Sequence, residues 1–149
     1  MYKIIVVGTD GSGRAGIAVS AALGLAKAAG ATLHVVHVVR AASTITLGAE
    51  YADPGVIAAA NAEMHEQGNR ICALVAADAK REGVSIQTHN VEGDPGDVLI
   101  KVAEGVDADL LVIGNRGMTG VKRFVLGSVP NKISHHCPCS LLIVNTDSE

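Results

Sequence analysis

Five short apolar runs, each separated from the next by a helix-forming stretch, constrain this 149-residue chain more than any other feature. Ile4-Ile5-Val6-Val7 and Leu110-Leu111-Val112-Ile113 are continuously apolar. A strand wetted on one face alternates, so these read as strands buried on both faces. Residues 32–39 are rich in β-branched side chains and read as another strand. Leu141-Leu142-Ile143-Val144 is the last. Residues 84–91 differ: Val84, Ile86 and Thr88 fall on one face and Ser85, Gln87 and His89 on the other, as at a sheet margin.

The intervening stretches carry helix signals. Residues 14–29 are Ala-rich, with Gly30 as a stop. Pro54 opens a long helix that ends near Gly83, with Ile57, Ala60, Met64, Ile71, Leu74 and Val75 at helical spacing. Asp94-Pro95 supplies an N-cap and a first-turn proline, and Val98, Leu99, Val102, Ala103 and Val106 line the helix that follows. A short helix runs from Ser128 to about His135. Strands joined by helices predict an α/β sandwich of three layers, with a five-stranded parallel sheet between helices. Residues 1–149 read as one domain without linker or repeat. Residues 40–53 lack a period and read as a lid or variable insertion.

Composition removes several function classes. Hydrophobic residues make up 48 % and aromatics only 2 %, so the core is aliphatic. A net charge of −3 offers no basic face for phosphates, and few aromatics leave no stacking platform, so no nucleic-acid partner is expected. No apolar run is long enough to span a membrane, and residues 1–4 lead straight into a strand without the pattern of a signal peptide. Cys72, Cys137 and Cys139 make no disulfide framework. A cytoplasmic protein is expected.

Two glycine-rich loops follow apolar strands. One spans residues 8–13. The other begins at Gly114-Asn115-Arg116-Gly117 and closes, nine residues later, on Gly127-Ser128. Ligands of open α/β sheets bind beyond the carboxyl ends of strands where the winding reverses. Glycines admit a ligand close to the backbone, and a helix opening at Ser128 would offer free N–H groups to a phosphate. The same glycines would also serve as plain turns, and spacing alone leaves both readings open.

These residues resemble a known family. Gly114, Gly117, Gly127 and Ser128 match the G-x2-G-x9-G-(S/T) signature of universal stress proteins of the ATP-binding type. Val7-Gly8-Thr9-Asp10-Gly11-Ser12 is similar to that family's opening strand and turn. His37-Val38-Val39 is similar to its second strand, and residues 137–144 to its closing one. The resemblance implies a Rossmann-like sheet of order 3-2-1-4-5 and a regulatory, stress-response protein that binds ATP. Gly8, Thr9 and Asp10 would lie against ribose and phosphates, Asp10 near a Mg²⁺ ion. The Val38 backbone would hydrogen-bond adenine. Ile113, Gly114, Arg116 and Gly117 would line the ribose and phosphate path, and Gly127, Ser128 and Val129 would cradle the phosphates. Pro130 departs from the family pattern because it offers a γ-phosphate neither N–H nor hydroxyl. ATP, cyclic AMP and AMP therefore stay open. In the family order the wholly apolar fifth strand lies at a sheet edge, which implies a homodimer through that strand.

Other motifs carry less. Gly11-Ser12-Gly13-Arg14-Ala15-Gly16 fits a dinucleotide fingerprint, but it starts late after the strand and the second strand ends without a ribose-binding acid. A turn that caps the first helix is expected there. His135-His136-Cys137-Pro138-Cys139 could hold zinc or sense redox state, yet it reads foremost as a helix-to-strand turn with Pro138 stopping the helix. Cys72 reads as a small core residue. His34 and His37 face opposite sides of their strand and read as structural. Arg116, Lys122 and Arg123 either complement phosphates or form a solvated loop. No base can be assigned to Ser12 or Ser128, so at most slow ATP hydrolysis is expected, through bound metal and water.

Overall fold

A computed structural model describes residues 1–41, 53–116 and 126–147. Its elements are β1 (Ile4–Thr9), α1 (Gly13–Ala29), β2 (Thr32–Val39), α2 (Pro54–Arg81), β3 (Ile86–Glu92), α3 (Pro95–Gly105), β4 (Leu110–Gly114), α4 (Ser128–His136) and β5 (Ser140–Val144). The five strands are parallel and lie in the order β3-β2-β1-β4-β5, as expected. Among the described residues no helix is long and apolar enough to cross a membrane. Most of the 40–53 segment, residues 42–52, lies outside the described residues.

Two aliphatic cores follow from strand alternation. On one face Ile5, Val7, Leu33 and Val35 pack against Val19, Ala22 and Ala26 of α1 and Ala79 of α2. On the other Val6, Val36, Leu111 and Ile113 pack against Val98, Leu99 and Ala103 of α3 and Ile133 of α4. The central strands are therefore dry on both faces, which is why they carry no polar alternation.

Local signals set the helix ends. Ser12 caps α1 by accepting a hydrogen bond from the Ala15 amide, and Gly30 ends it in the left-handed conformation at φ 66°. Asp53 caps α2 and Asp94 caps α3, each followed by proline. β3 is an edge strand, as its two-faced pattern predicted, although it begins at Ile86 rather than at residue 84.

The apolar stripe of α2 is only partly turned to the sheet: Val75 packs against the core and Ile71 is half-buried, but two of its members are not. Leu74 is 70 % exposed and Met64 is 38 % exposed, while Gly68, Cys72 and Ala79 are buried. Residue 74 stands roughly 200° around the helix from residue 72 at 3.6 residues per turn. Length accounts for the rest. Twenty-eight helical residues span about 42 Å, against about 23 Å for a seven-residue strand, so α2 overruns the sheet. It meets the sheet at Gly68, where a Cβ would stand 2.2 Å from Asn90 Oδ1 and 2.6 Å from His37 Nδ1.

The histidines of β2 find partners on opposite faces. His37 Nδ1 lies 2.9 Å from Asn90 Oδ1, and Asn90 Nδ2 donates to the His65 carbonyl at 2.8 Å. His34 Nδ1 lies 2.9 Å from His89 Nε2, with the rings stacked at 5.2 Å between centroids. That short contact needs one protonated and one bare nitrogen. Burial, reinforced by His89, lowers the His34 pKa, and burial lowers that of His89. Below the ordinary value of 6.5 the unfolded chain then binds more protons than the folded one, and stability is lost as the pH is lowered. The urea midpoint should therefore drop between about pH 7.5 and about pH 5.5. A His34→Phe variant should show a smaller drop in the same titration.

Candidate functional site

The winding of the sheet reverses between β1 and β4, which pair directly from Ile5↔Leu110 to Val7↔Val112. Their carboxyl ends lead to α1 on one face and α4 on the other, and between such diverging connections open α/β sheets form their ligand crevice. The two glycine-rich segments of the sequence stand at this crevice.

The β1 loop is held by its own side chains. Thr9 Oγ1 accepts from the Gly11 amide at 3.1 Å, and Asp10 Oδ1 accepts from the Ser12 amide at 2.9 Å. Asp10 is exposed. Its second carboxylate oxygen has no partner among the described residues. Gly8 makes room for a neighbouring helix, since a Cβ there would lie 3.0 Å from both Leu99 methyl groups. The Ser12 hydroxyl is committed to the α1 cap, as the turn reading expected.

The β4 loop is tied by a residue that sequence reasoning passed over. Asn115 Oδ1 accepts from the Thr146 amide at 2.9 Å and from the Thr146 hydroxyl at 2.8 Å. Its amide donates to the Val144 carbonyl, and its carbonyl accepts from the Gly127 amide, each at 3.0 Å. One asparagine thus joins the end of β4, the tail after β5 and the start of α4. Thr146 is fully buried, and a Cβ on Gly114 would stand 3.0 Å from its methyl group. Only its position after Gly114 in the motif could have pointed to Asn115. Nothing local singles out Thr146.

The same tail carries Asp147, which pairs with Arg116. The Arg116 guanidinium holds the Asp147 carboxyl below the usual carboxylate range, and Arg14 adds to the effect. The Arg116 side chain is only 9 % exposed, so it anchors the loop and is not a solvated charge. Arg14, in the first turn of α1, has a buried Nη1 with no hydrogen-bond partner among the described residues. Sequence reading gave Arg14 no role.

At the start of α4, Gly127 caps without a side-chain hydrogen bond. A helix leaves its first four N–H groups without internal partners. Here Gly127 gives its amide to Asn115, and Pro130 has none. Among the described residues the Ser128 and Val129 amides and the exposed Ser128 hydroxyl have no partner and could meet an anion. Lys132 fixes this helix to the head of α3, lying 3.1 Å from Asp94 and 2.8 Å from Asp97.

Val38 and Ile113 present backbone, not side chain. Ile113 is buried in the core under α3 and α4, and Val38 packs against the same core. The Val39 carbonyl accepts from Gly93 on the β3 side. Successive strand residues turn their peptide groups to opposite sides, so those of Val38 face β1, whose register with β2 ends at Thr9↔His37. Gly117, Lys122 and Arg123 lie outside the described residues.

Comparison with known proteins agrees with this architecture. Residues 1–145 match the model of the universal stress protein family. Universal stress protein YxiE of Bacillus subtilis is 33 % identical over 147 residues, covering 97 % of this chain and 99 % of its own. Universal stress protein MJ0531 of Methanocaldococcus jannaschii is 33 % identical over 144 residues, covering 97 % and 82 % respectively. A universal stress protein solved in complex with cAMP superposes with a TM-score of 0.69 at 30 % identity and covers 98 % of both chains.

The Asn115 tie gives a direct test of how the crevice is held. Asn115→Ala strands two buried donors of Thr146, and each such loss costs about 1–3 kcal/mol. Urea denaturation should show a destabilisation of at least that order, whereas Asn145→Ala on the exposed tail should change little.

Proposed function

Because the chain belongs to the universal stress protein family, we propose that it binds an adenine nucleotide in the β1–β4 crevice and acts as a regulatory, stress-response protein. The observation that carries this reading is the start of α4, where two amides and a hydroxyl without partners among the described residues stand at the carboxyl end of the sheet, near the strand reversal. Gly127, Ser128 and Val129 hold phosphate. The Val38 peptide groups meet the adenine edge. Thr9, Asp10 and the backbone of Gly8, Ile113, Gly114, Arg116 and Gly117 line the path between. Arg14 supplies a positive charge that no described residue neutralises by hydrogen bonding.

ATP is the first ligand to test, with Mg²⁺ held by Asp10. A single carboxylate is enough for Mg²⁺ when phosphates complete its shell, and Asp10 keeps one oxygen for it. Cyclic AMP is the second. Pro130 removes one N–H from α4, which favours a ligand with fewer phosphates, and a relative at 30 % identity was solved with cAMP. The three free thiols accord with a reducing, cytoplasmic setting.

Nucleotide released from the purified, denatured protein should be identifiable by mass spectrometry as ATP, AMP or cyclic AMP. Titration calorimetry with each should give saturable binding. Ser128→Ala should weaken it roughly tenfold or more, since a hydrogen bond to a charged group contributes about 1.5–3 kcal/mol. No binding of any of the three would sink the proposal.

We propose further that the protein is a homodimer through β5. That strand is at the sheet edge, and Leu141, Leu142, Ile143 and Val144 are only partly buried. An apolar edge with unpaired peptide groups is a template for a second copy. Light scattering at micromolar concentration should give twice the chain mass, and Ile143→Lys should return it to the monomer.

A further inference from the structure

The Cys137-Pro138-Cys139 turn plays no part in the crevice. Cys137 ends α4 and Cys139 precedes β5, whose first residue Ser140 lies beside Leu110 at the start of β4. This is the opposite end of the sheet. Both thiols are free and partly exposed, and their sulfurs are 4.0 Å apart. Pro138 fixes the backbone between them, so both sulfurs are presented from one stiff turn.

The separation decides what the pair is suited to. A disulfide would need the sulfurs to close to about 2.05 Å with a near-perpendicular torsion, across a single stiff residue. A thiophilic ion needs almost no movement. Sulfurs 4.0 Å apart can each stand about 2.3 Å from one ion at an S–metal–S angle near 120°. That open angle suits a low coordination number. A structural zinc ion would require two more ligands, and among the described residues no three His, Cys, Asp or Glu side chains converge on one point. Two thiolates with no third ligand converging among the described residues select soft ions such as Cu(I).

We propose that the Cys137-Pro138-Cys139 turn is a two-sulfur binding site for one soft monovalent cation, of which Cu(I) is the example. Binding exchanges two S–H protons for the cation and leaves a bis-thiolate site with one net negative charge. No electron is transferred. Without the cation, burial and the adjacent Cys137 sulfur push the Cys139 thiol up to about 12. The thiolate is the nucleophile in oxidation, so Cys139 is a poor attacking thiol without the cation. A cation that bonds directly to sulfur displaces the protons that a weak oxidant leaves in place.

The test is an anaerobic titration of the reduced full-length protein against the coloured bicinchoninate complex of Cu(I). The protein should withdraw about one Cu(I) per chain, and Cys72→Ser should do the same. Cys137→Ser and Cys139→Ser should each weaken uptake at least tenfold while keeping the far-ultraviolet circular dichroism of the parent. If Cys139→Ser does not fold, Cys137→Ala carries the comparison, because its side chain lies at the helix end. X-ray absorption should place two sulfur atoms and no nitrogen around the copper. Failure of the parent to withdraw copper would overturn the proposal, and ready closure of a 137–139 disulfide in the same preparation would then identify a redox pair. Undiminished uptake by either single variant, or nitrogen in the copper shell, would also overturn it.

Discussion

Parallel pairing of β1 with β4 is the constraint from which the molecule is built. Parallel neighbours need a crossover between them, and crossovers are right-handed. Winding from β1 through β2 to β3 therefore puts α1 and α2 on one face of the sheet. Returning across to β4 and β5 puts α3 and α4 on the other. The central strands are sealed on both sides, and their side chains must be aliphatic. The loops leaving β1 and β4 part toward opposite faces, which opens the crevice without any residue dedicated to making it.

Given that crevice, polar ties determine how firmly it is shaped. Asn115 binds the tail after β5, the end of β4 and the start of α4 into one unit. Arg116 and Asp147 close the same unit with an ion pair. The loop glycines divide their labour. Gly8 and Gly114 let Leu99 and Thr146 pack close, since a Cβ at either would stand 3.0 Å from their methyl groups. Gly127 gives its amide to Asn115, and the next two amides of α4 have no partner among the described residues. The two ends of the sheet differ chemically as a result. The carboxyl end gathers N–H donors and guanidinium groups, and the amino end gathers two thiols.

Much of this was legible in the chain. The nine elements of the described residues follow from apolar runs, helical spacing and caps such as Ser12, Asp94-Pro95 and Gly30, all of which act within a few residues. The strand order came from resemblance to a family and is the order observed. Helical spacing groups Leu74 and Met64 with Val75, yet those two are exposed, because periodicity reports an apolar stripe and not where a long helix overruns its sheet. The His34–His89 contact was missed because it joins residues 55 apart. Sequence alternation fixed which face His34 takes, but not who meets it there.

The crevice shows the same division. Gly114, Gly127 and Ser128 stood out because a helix start and a glycine turn are local facts. Arg14, Asn115 and Thr146 did not, since a buried guanidinium or a tie across 31 residues has no local signature. The sequence by itself determined the elements, the aliphatic core and the loops at which a ligand would dock. Local backbone preference and side-chain period are sufficient for those. Only the tertiary structure decided which glycines serve packing, which amides stay free and which charges are tied. Each of those depends on what stands within about 3 Å in space, and chain order does not set that.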